Sequence, residues 1–131
     1  MNKGGNDMHQ HEAVLAVIDA YCRGVYRGDI GLLRSVFDPR ALLFANVRGD
    51  AYFRPLDDYL AVVAARQSPE ALGQAFNMKP ICVEVTGEIA FAKVDCPMFD
   101  FHYIDYLSFV RQDGRWKIVN KTFTDVSPPA A

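Results

Sequence analysis

Two side chains in this sequence could move a proton or hold an anion from inside a strand: His102 and Lys121. Histidine is the side chain whose ordinary pKa lets it act as acid and base near neutrality. His102 lies in residues 99–111, a stretch rich in aromatic and β-branched types. Facing a cavity, it would be the general acid/base there; otherwise it is a hydrogen-bonded strand histidine. Lys121, if turned inward, is either a lysine of lowered pKa or one paired with a carboxylate, and could hold an anionic ligand. Turned outward, it is an ion-paired edge lysine. Side chains alternate faces along a strand. One face of 99–111 carries Asp100, His102, Ile104, Tyr106 and Ser108; the other carries Phe101, Tyr103, Asp105, Leu107 and Phe109. Hydrophobicity favours burial of the second set, and a single bulge would exchange the two.

Other reactive types have plainer readings. His9 and His11 sit near the N-terminus as solvated residues, and Asp57 and Asp58 follow Pro55, where a helix dipole favours acidic groups. Asp95 alternates with small apolar residues and should face away from any pocket. Cys22, Cys82 and Cys96 each lie in an apolar stretch, are odd in number and form no CxxC, so they read as buried free thiols. No zinc-ligand spacing is present. Trp116 reads as core, and Phe123 as core or pocket wall.

The elements that must position these residues can be read from composition and periodicity. The chain has 131 residues, which suits one domain; 50% are hydrophobic and 12% aromatic, enough for a full core. A net charge of −2 is unlike the basic footprint of a nucleic-acid binder. Charged or polar residues interrupt every apolar run before membrane-spanning length, and the start of the chain has no apolar segment of the signal-peptide kind. The expectation is a soluble cytoplasmic protein that binds neither nucleic acid nor membrane and needs no cofactor.

Residues 1–8 read as a flexible tail, with Asp7 and Gln10 spaced as a capping box. Val14, Val17, Ile18, Tyr21, Cys22 and Val25 then recur at helical spacing, opposite Glu12, Asp19, Arg23 and Arg27. Gly28 ends this helix, Asp29 caps a second one, and Asp38-Pro39 stops it. Residues 41–47 and 51–54 read as short strands about a Gly49-Asp50 turn, and Leu56, Tyr59, Leu60 and Val63 mark a third helix. Residues 67–80 form a long connection. The remainder alternates as strands, with Asp113-Gly114 the strongest hairpin signal. Helices early and a meander late indicate an α+β domain over 9–126, with helices on one face of the sheet and a short tail at 127–131. A sheet curved around helices leaves a concave pocket, the usual place for a ligand.

The order of elements resembles the NTF2-like superfamily, a cone in which three N-terminal helices pack in the concave face of a curved antiparallel sheet. Local wording agrees. Tyr21 through Arg27-Gly28-Asp29-Ile30 resembles the superfamily's first helix and its GD junction, and Asp38-Pro39-Arg40-Ala41 resembles the entry to its first strand. The stretch Asp105-Tyr106-Leu107-Ser108-Phe109-Val110-Arg111, followed by Asp113-Gly114-Arg115-Trp116-Lys117-Ile118-Val119-Asn120-Lys121, resembles the "putative lumazine-binding" branch.

That resemblance implies a small-molecule pocket and places the His102 and Tyr106 side of the strand toward it. In the superfamily's ketosteroid isomerase a strand carboxylate is the base, and a tyrosine and a protonated acid donate to the developing oxyanion. Tyr21 falls at the helical tyrosine, the second donor falls near Tyr106, and the base position falls at about Ala45, which cannot move a proton; neighbouring Asn46 is no base either. The resulting ligand set is Tyr21, Asn46, His102, Tyr106, Lys121 and Phe123. Three readings follow: a small-molecule binding module of unspecified ligand, an isomerase or dehydratase using His102, and a homodimeric interaction module. The third arises because the apolar residues Phe101, Tyr103, Leu107 and Phe109 must be covered by something. A homodimer through the sheet is compatible with the other two.

Overall fold

A computed structural model describes residues 3–128, with side chains from 8 to 128. The elements run α1 (Lys3–Arg27), α2 (Ile30–Val36), β1 (Phe37–Val47), β2 (Asp50–Pro55), α3 (Leu56–Ala65), β3 (Lys79–Thr86), β4 (Ile89–Met98), β5 (Phe101–Gln112) and β6 (Arg115–Asp125). The six strands form one sheet in the order β2-β1-β6-β5-β4-β3. Every pairing is antiparallel except β1 with β6, so the sheet is mixed, with the first and last strands parallel at its centre.

The first helix starts earlier than its sequence suggests. Lys3 already belongs to α1, so helix runs through most of the stretch expected to be a tail; Met1 and Asn2 lie outside the described residues, as do residues 129–131. Once a helix is nucleated, each further residue adds a bond at little cost, which carries it back through Gly4 and Gly5. Gln10 therefore does not close a capping box: its Oε1 accepts from Trp116 Nε1 at 2.8 Å, tying α1 to β6. Gly28, at φ +67°, ends α1 in the left-handed conformation that glycine adopts without strain. Asp29 caps α2 as expected, its Oδ1 accepting from Leu32 N at 3.0 Å. A side chain at Gly24 would meet Leu33 at 2.8 Å, so this glycine sets how closely α2 approaches α1.

One face of the sheet meets the helices and the other is open. The core gathers Val14, Ile18, Tyr21 and Val25 from α1, Leu33 from α2, Leu56, Leu60 and Val63 from α3, and Leu43, Ala92, Val94, Leu107, Phe109 and Ile118 from the sheet. On β5 the buried phase is Asp105, Leu107 and Phe109, while Tyr106 and Ser108 are exposed. Hydrophobic alternation thus assigned this strand correctly, and the placement of His102 and Tyr106 toward the hollow is corrected: both lie on the outer face. Of the thiols, Cys22 and Cys96 are buried, whereas Cys82 is exposed on β3, an edge strand whose register with β4 shifts between Pro80 and Cys82.

Candidate functional site

The inner face of the sheet changes character along its strands. At the end covered by α1 and α2 its residues are sealed, with Leu43, Leu107 and Ile118 fully buried. Toward the other end Ala45, Tyr52, Tyr103 and Phe123 are only half-buried. Their rings make a continuous wall: Tyr52 and Phe123 are 5.2 Å apart between centroids, and Tyr103 and Phe123 5.6 Å, both edge to face. The inner face is therefore less covered at this end than at the other.

Beneath that wall lies a polar cluster inside the apolar core. Tyr21 on α1 donates to Asp105 Oδ2 at 2.5 Å, and Lys121 Nζ lies 3.9 Å from the same oxygen. Lys121 also donates to Tyr59 Oη on α3 at 3.3 Å and sits 4.8 Å from the centre of the Phe123 ring. None of these four polar residues is more than 3% exposed.

A bulge brings Lys121 there. Trp116 and Ile118 face inward, and simple alternation would then turn Lys121 outward. The β5–β6 register shifts between Ser108 and Phe109, so Phe109 faces Ile118 while Ser108 faces Asn120, and Val119 is the extra residue. That one insertion reverses the phase of β6 and turns Lys121 and Phe123 into the hollow.

Burial and charge act on the cluster in opposite senses. Burial, then Asp105, raises the Tyr21 hydroxyl well above its ordinary pKa, so it remains a proton donor. Burial alone pushes the Lys121 ammonium down, but Asp105, then Tyr59, more than reverse this and hold it above its ordinary value. Lys121 is thus a cation paired with a carboxylate rather than a free amine, the second of its two inward alternatives. Such a group can stabilise negative charge on a ligand but is a poor nucleophile.

The remaining expected site residues are dispersed. Asn46, His102 and Tyr106 are on the outer face. Asn46 Oδ1 accepts from Gly49 N at 3.0 Å, which shapes the β1–β2 turn. The His102 ring pairs with Asp95, likewise on the outer face, and its backbone N–H donates to Asp125 Oδ1 at 2.8 Å. A general acid/base role for His102 in the hollow is therefore withdrawn. The position expected to lack a base, Ala45, does face inward, opposite Tyr52 on one side and Phe123 on the other.

Two inward groups were missed. Asp105 had been grouped with the apolar face and given no role. Tyr59 entered the sequence reading only as part of the apolar stripe of the third helix. The available signal was Asp105 itself, a single charge in an otherwise apolar phase, which requires a buried partner.

A groove of about 500 Å³ lies elsewhere, lined chiefly by the outer-face residues Phe44, Asn46, Ile104, Tyr106 and Thr122, with Ala45 and Phe123 at its edge. It lacks the clustered buried donors of the hollow. Among the described residues no group of three or more His, Cys, Asp or Glu side chains is placed to hold a metal ion, and no helix is long and apolar enough to cross a membrane.

Comparison with known proteins agrees with this architecture. Residues 9–124 match the model of the family described as "Putative lumazine-binding". The chain belongs to that family. Among individual relatives, the Aldolase FrzH of Cladobotryum sp is 26% identical over 117 residues, covering 87% of this chain and 90% of that protein. An NTF2-like protein of unknown function from Shewanella baltica OS155 superposes with a TM-score of 0.78 at 19% identity, over 92% of this chain and 97% of the other. One from Silicibacter pomeroyi DSS-3 gives 0.77 at 22% identity, over 90% and 97%. At such identities the two structures speak to the fold alone, which this chain shares with those NTF2-like proteins.

Proposed function

We propose that this protein binds a small organic molecule at the open end of its cone, with Tyr52, Tyr103 and Phe123 as the wall and the Tyr21–Asp105–Lys121–Tyr59 cluster as the floor. The observation that carries the reading is that cluster. Burying an ion pair inside an apolar core is costly, and well-packed apolar residues in its place are often neutral or stabilising. A protein that retains Asp105 and Lys121 at 1% and 3% exposure, and spends a bulge to point Lys121 inward, has a use for them beyond packing. The family's description supports a ligand of the flat heteroaromatic kind. The test is a thermal-shift panel of a lumazine, naphthoate and naphthamide. At least one should raise the melting temperature in proportion to the logarithm of its concentration. A panel without effect at millimolar concentration contradicts the reading.

A second reading is favoured by the similarity to an aldolase. An aldol step removes a proton beside a carbonyl, joins the resulting enolate carbon to a second carbonyl carbon, and returns a proton to the new alkoxide. Lys121 and the Tyr21 hydroxyl suit stabilisation of the enolate oxygen. Asp105 is the carboxylate within the hollow, and His102 plays no part. Turnover of an aldehyde–ketone pair that vanishes in Lys121→Met would support this over simple binding.

The outer face suits a second copy of this chain. Leu42, Phe44, Phe53, Phe91 and Tyr106 are each 40–54% exposed across strands β2 to β4. Contiguous apolar faces of this kind are rare on monomers. Sedimentation at micromolar concentration should give a dimer, and a monomer there would exclude it.

A further inference from the structure

Apart from Arg115, exposed at the β5–β6 turn, the arginines of this chain divide into two kinds. Arg23, Arg27, Arg34, Arg40, Arg48 and Arg111 lie at the surface, each beside a carboxylate. Arg54 and Arg66 are more buried than most of these, yet no ion pair among the described residues includes either. Arg54 Nε and Arg66 Nη2 are shielded from solvent, and among the described residues no group accepts a hydrogen bond from those two nitrogens, although the Arg54 guanidinium also bonds the Tyr52 hydroxyl. Buried donors are nearly always bonded, and one left without an acceptor costs about 1–3 kcal/mol.

Arg54 starts level with the sealed part of the inner face and reaches along it toward Tyr52, while Arg66 lies just past α3. Arg54 is opposite Leu43 in the β1–β2 register, so it shares the inner face with Tyr52, and its guanidinium carbon lies 5.2 Å from the Tyr52 ring centre. Arg66 follows the last residue of α3, with its guanidinium carbon 5.2 Å from the Phe99 ring centre. Phe99, like Tyr52 and Tyr103, packs against the core from its margin.

The Arg66 side of the rim is rigidly made. Phe99 holds φ +57°, a conformation that costs a non-glycine residue energy. The Gln74 side chain fixes it there, accepting from Phe99 N at 2.9 Å and donating to Phe99 O at 3.4 Å. Tyr26 in turn anchors this loop by donating to Gln74 O at 2.7 Å.

The local charge is opposite to that of the chain. Although the whole carries −2, Arg54, Arg66 and Lys121 bring three cations to this side of the sheet, where Asp105 lies beside Lys121 and the buried Asp125 carboxylate is held by Arg48 at 2.6 Å. Asp50 and Asp100 lie exposed in the turns beyond. Guanidinium groups with donors to spare take carboxylates in two-point fashion, and the aromatic wall between them takes a flat apolar body.

We infer that the ligand is an organic anion, a carboxylate on a flat unsaturated body, recognised by Arg54 and Arg66 at the rim while its body lies on Tyr52, Phe123 and Tyr103. This rests on the small-molecule reading above and narrows it to one chemical class. Naphthoate and its neutral isostere naphthamide test it by calorimetric titration. Naphthoate should bind at least about tenfold more tightly, the size of one charge-assisted hydrogen bond. Arg54→Gln and Arg66→Gln should each remove most of that advantage and leave naphthamide affinity unchanged. Arg115→Gln, at the exposed β5–β6 turn, should change neither. Equal affinity for acid and amide, or an equal loss in Arg115→Gln, overturns the anion inference while the small-molecule reading stands. Binding of neither overturns the anion inference, and a lumazine without effect as well overturns both.

Discussion

The two faces of β5 carry similar residue types and have opposite fates. Inward, Asp105 is 1% exposed and meets Tyr21 and Lys121 inside a core of Leu107 and Phe109. Outward, His102 pairs with Asp95 and shares its face with Tyr106, which is 54% exposed. In water an exposed ion pair contributes about 0–1 kcal/mol; in a core, each charge without its partner costs several times more. The inner and outer polar groups therefore differ less in kind than in what their removal does. An active site is better sought where the pairing is costly than where the most reactive side chain lies.

The largest effect should come from breaking the inner pair. Lys121→Met leaves Asp105 buried without its cation and should lower unfolding free energy by about 3–5 kcal/mol. Adding Asp105→Leu should restore half or more of that loss while abolishing binding of any ligand the wild type holds. Urea denaturation measures both; a double variant no more stable than the single would show that the pair is needed for the fold itself.

Next come packing residues on either side of the same strand. Leu107→Ala should cost about 2–5 kcal/mol, and Tyr106→Ala at most about 1 kcal/mol of protomer stability. Similar losses at both positions would deny the inside–outside division.

The smallest effect is chemical. Burial, then Asp105, pushes the Cys22 thiol up to about 12, and burial raises Cys96 well above its usual range. At pH 8 both stay protonated and enclosed, so iodoacetamide should modify exposed Cys82 alone in the folded protein and all three thiols in urea, as intact mass would record. Rapid triple labelling without urea would contradict the described core.

Most of the architecture was legible because it rests on local signals: the α1 stripe, the Asp29 cap, and the turn at Asp113-Gly114, where both residues take positive φ. The phase of β5 was legible too, from hydrophobic alternation; the resemblance misled at His102 and Tyr106, one residue from the buried Asp105. What could not be read depends on contacts between distant segments. The bulge at Val119 that turns Lys121 inward leaves no mark in the sequence, since Val119 suits a regular strand equally well. Arg54 and Arg66 close a strand and a helix, positions where basic residues are ordinary. Only the assembled sheet shows that no carboxylate comes to meet them.

The central claim is that ligand enters the inner, open end and not the outer groove. Backbone and side-chain chemical shifts recorded during a naphthoate titration decide it. The account predicts that the largest changes fall on Arg54, Arg66, Tyr52, Tyr103 and Phe123, with Phe44, His102 and Tyr106 nearly still. Changes centred on Phe44, Ile104 and Tyr106 would contradict it.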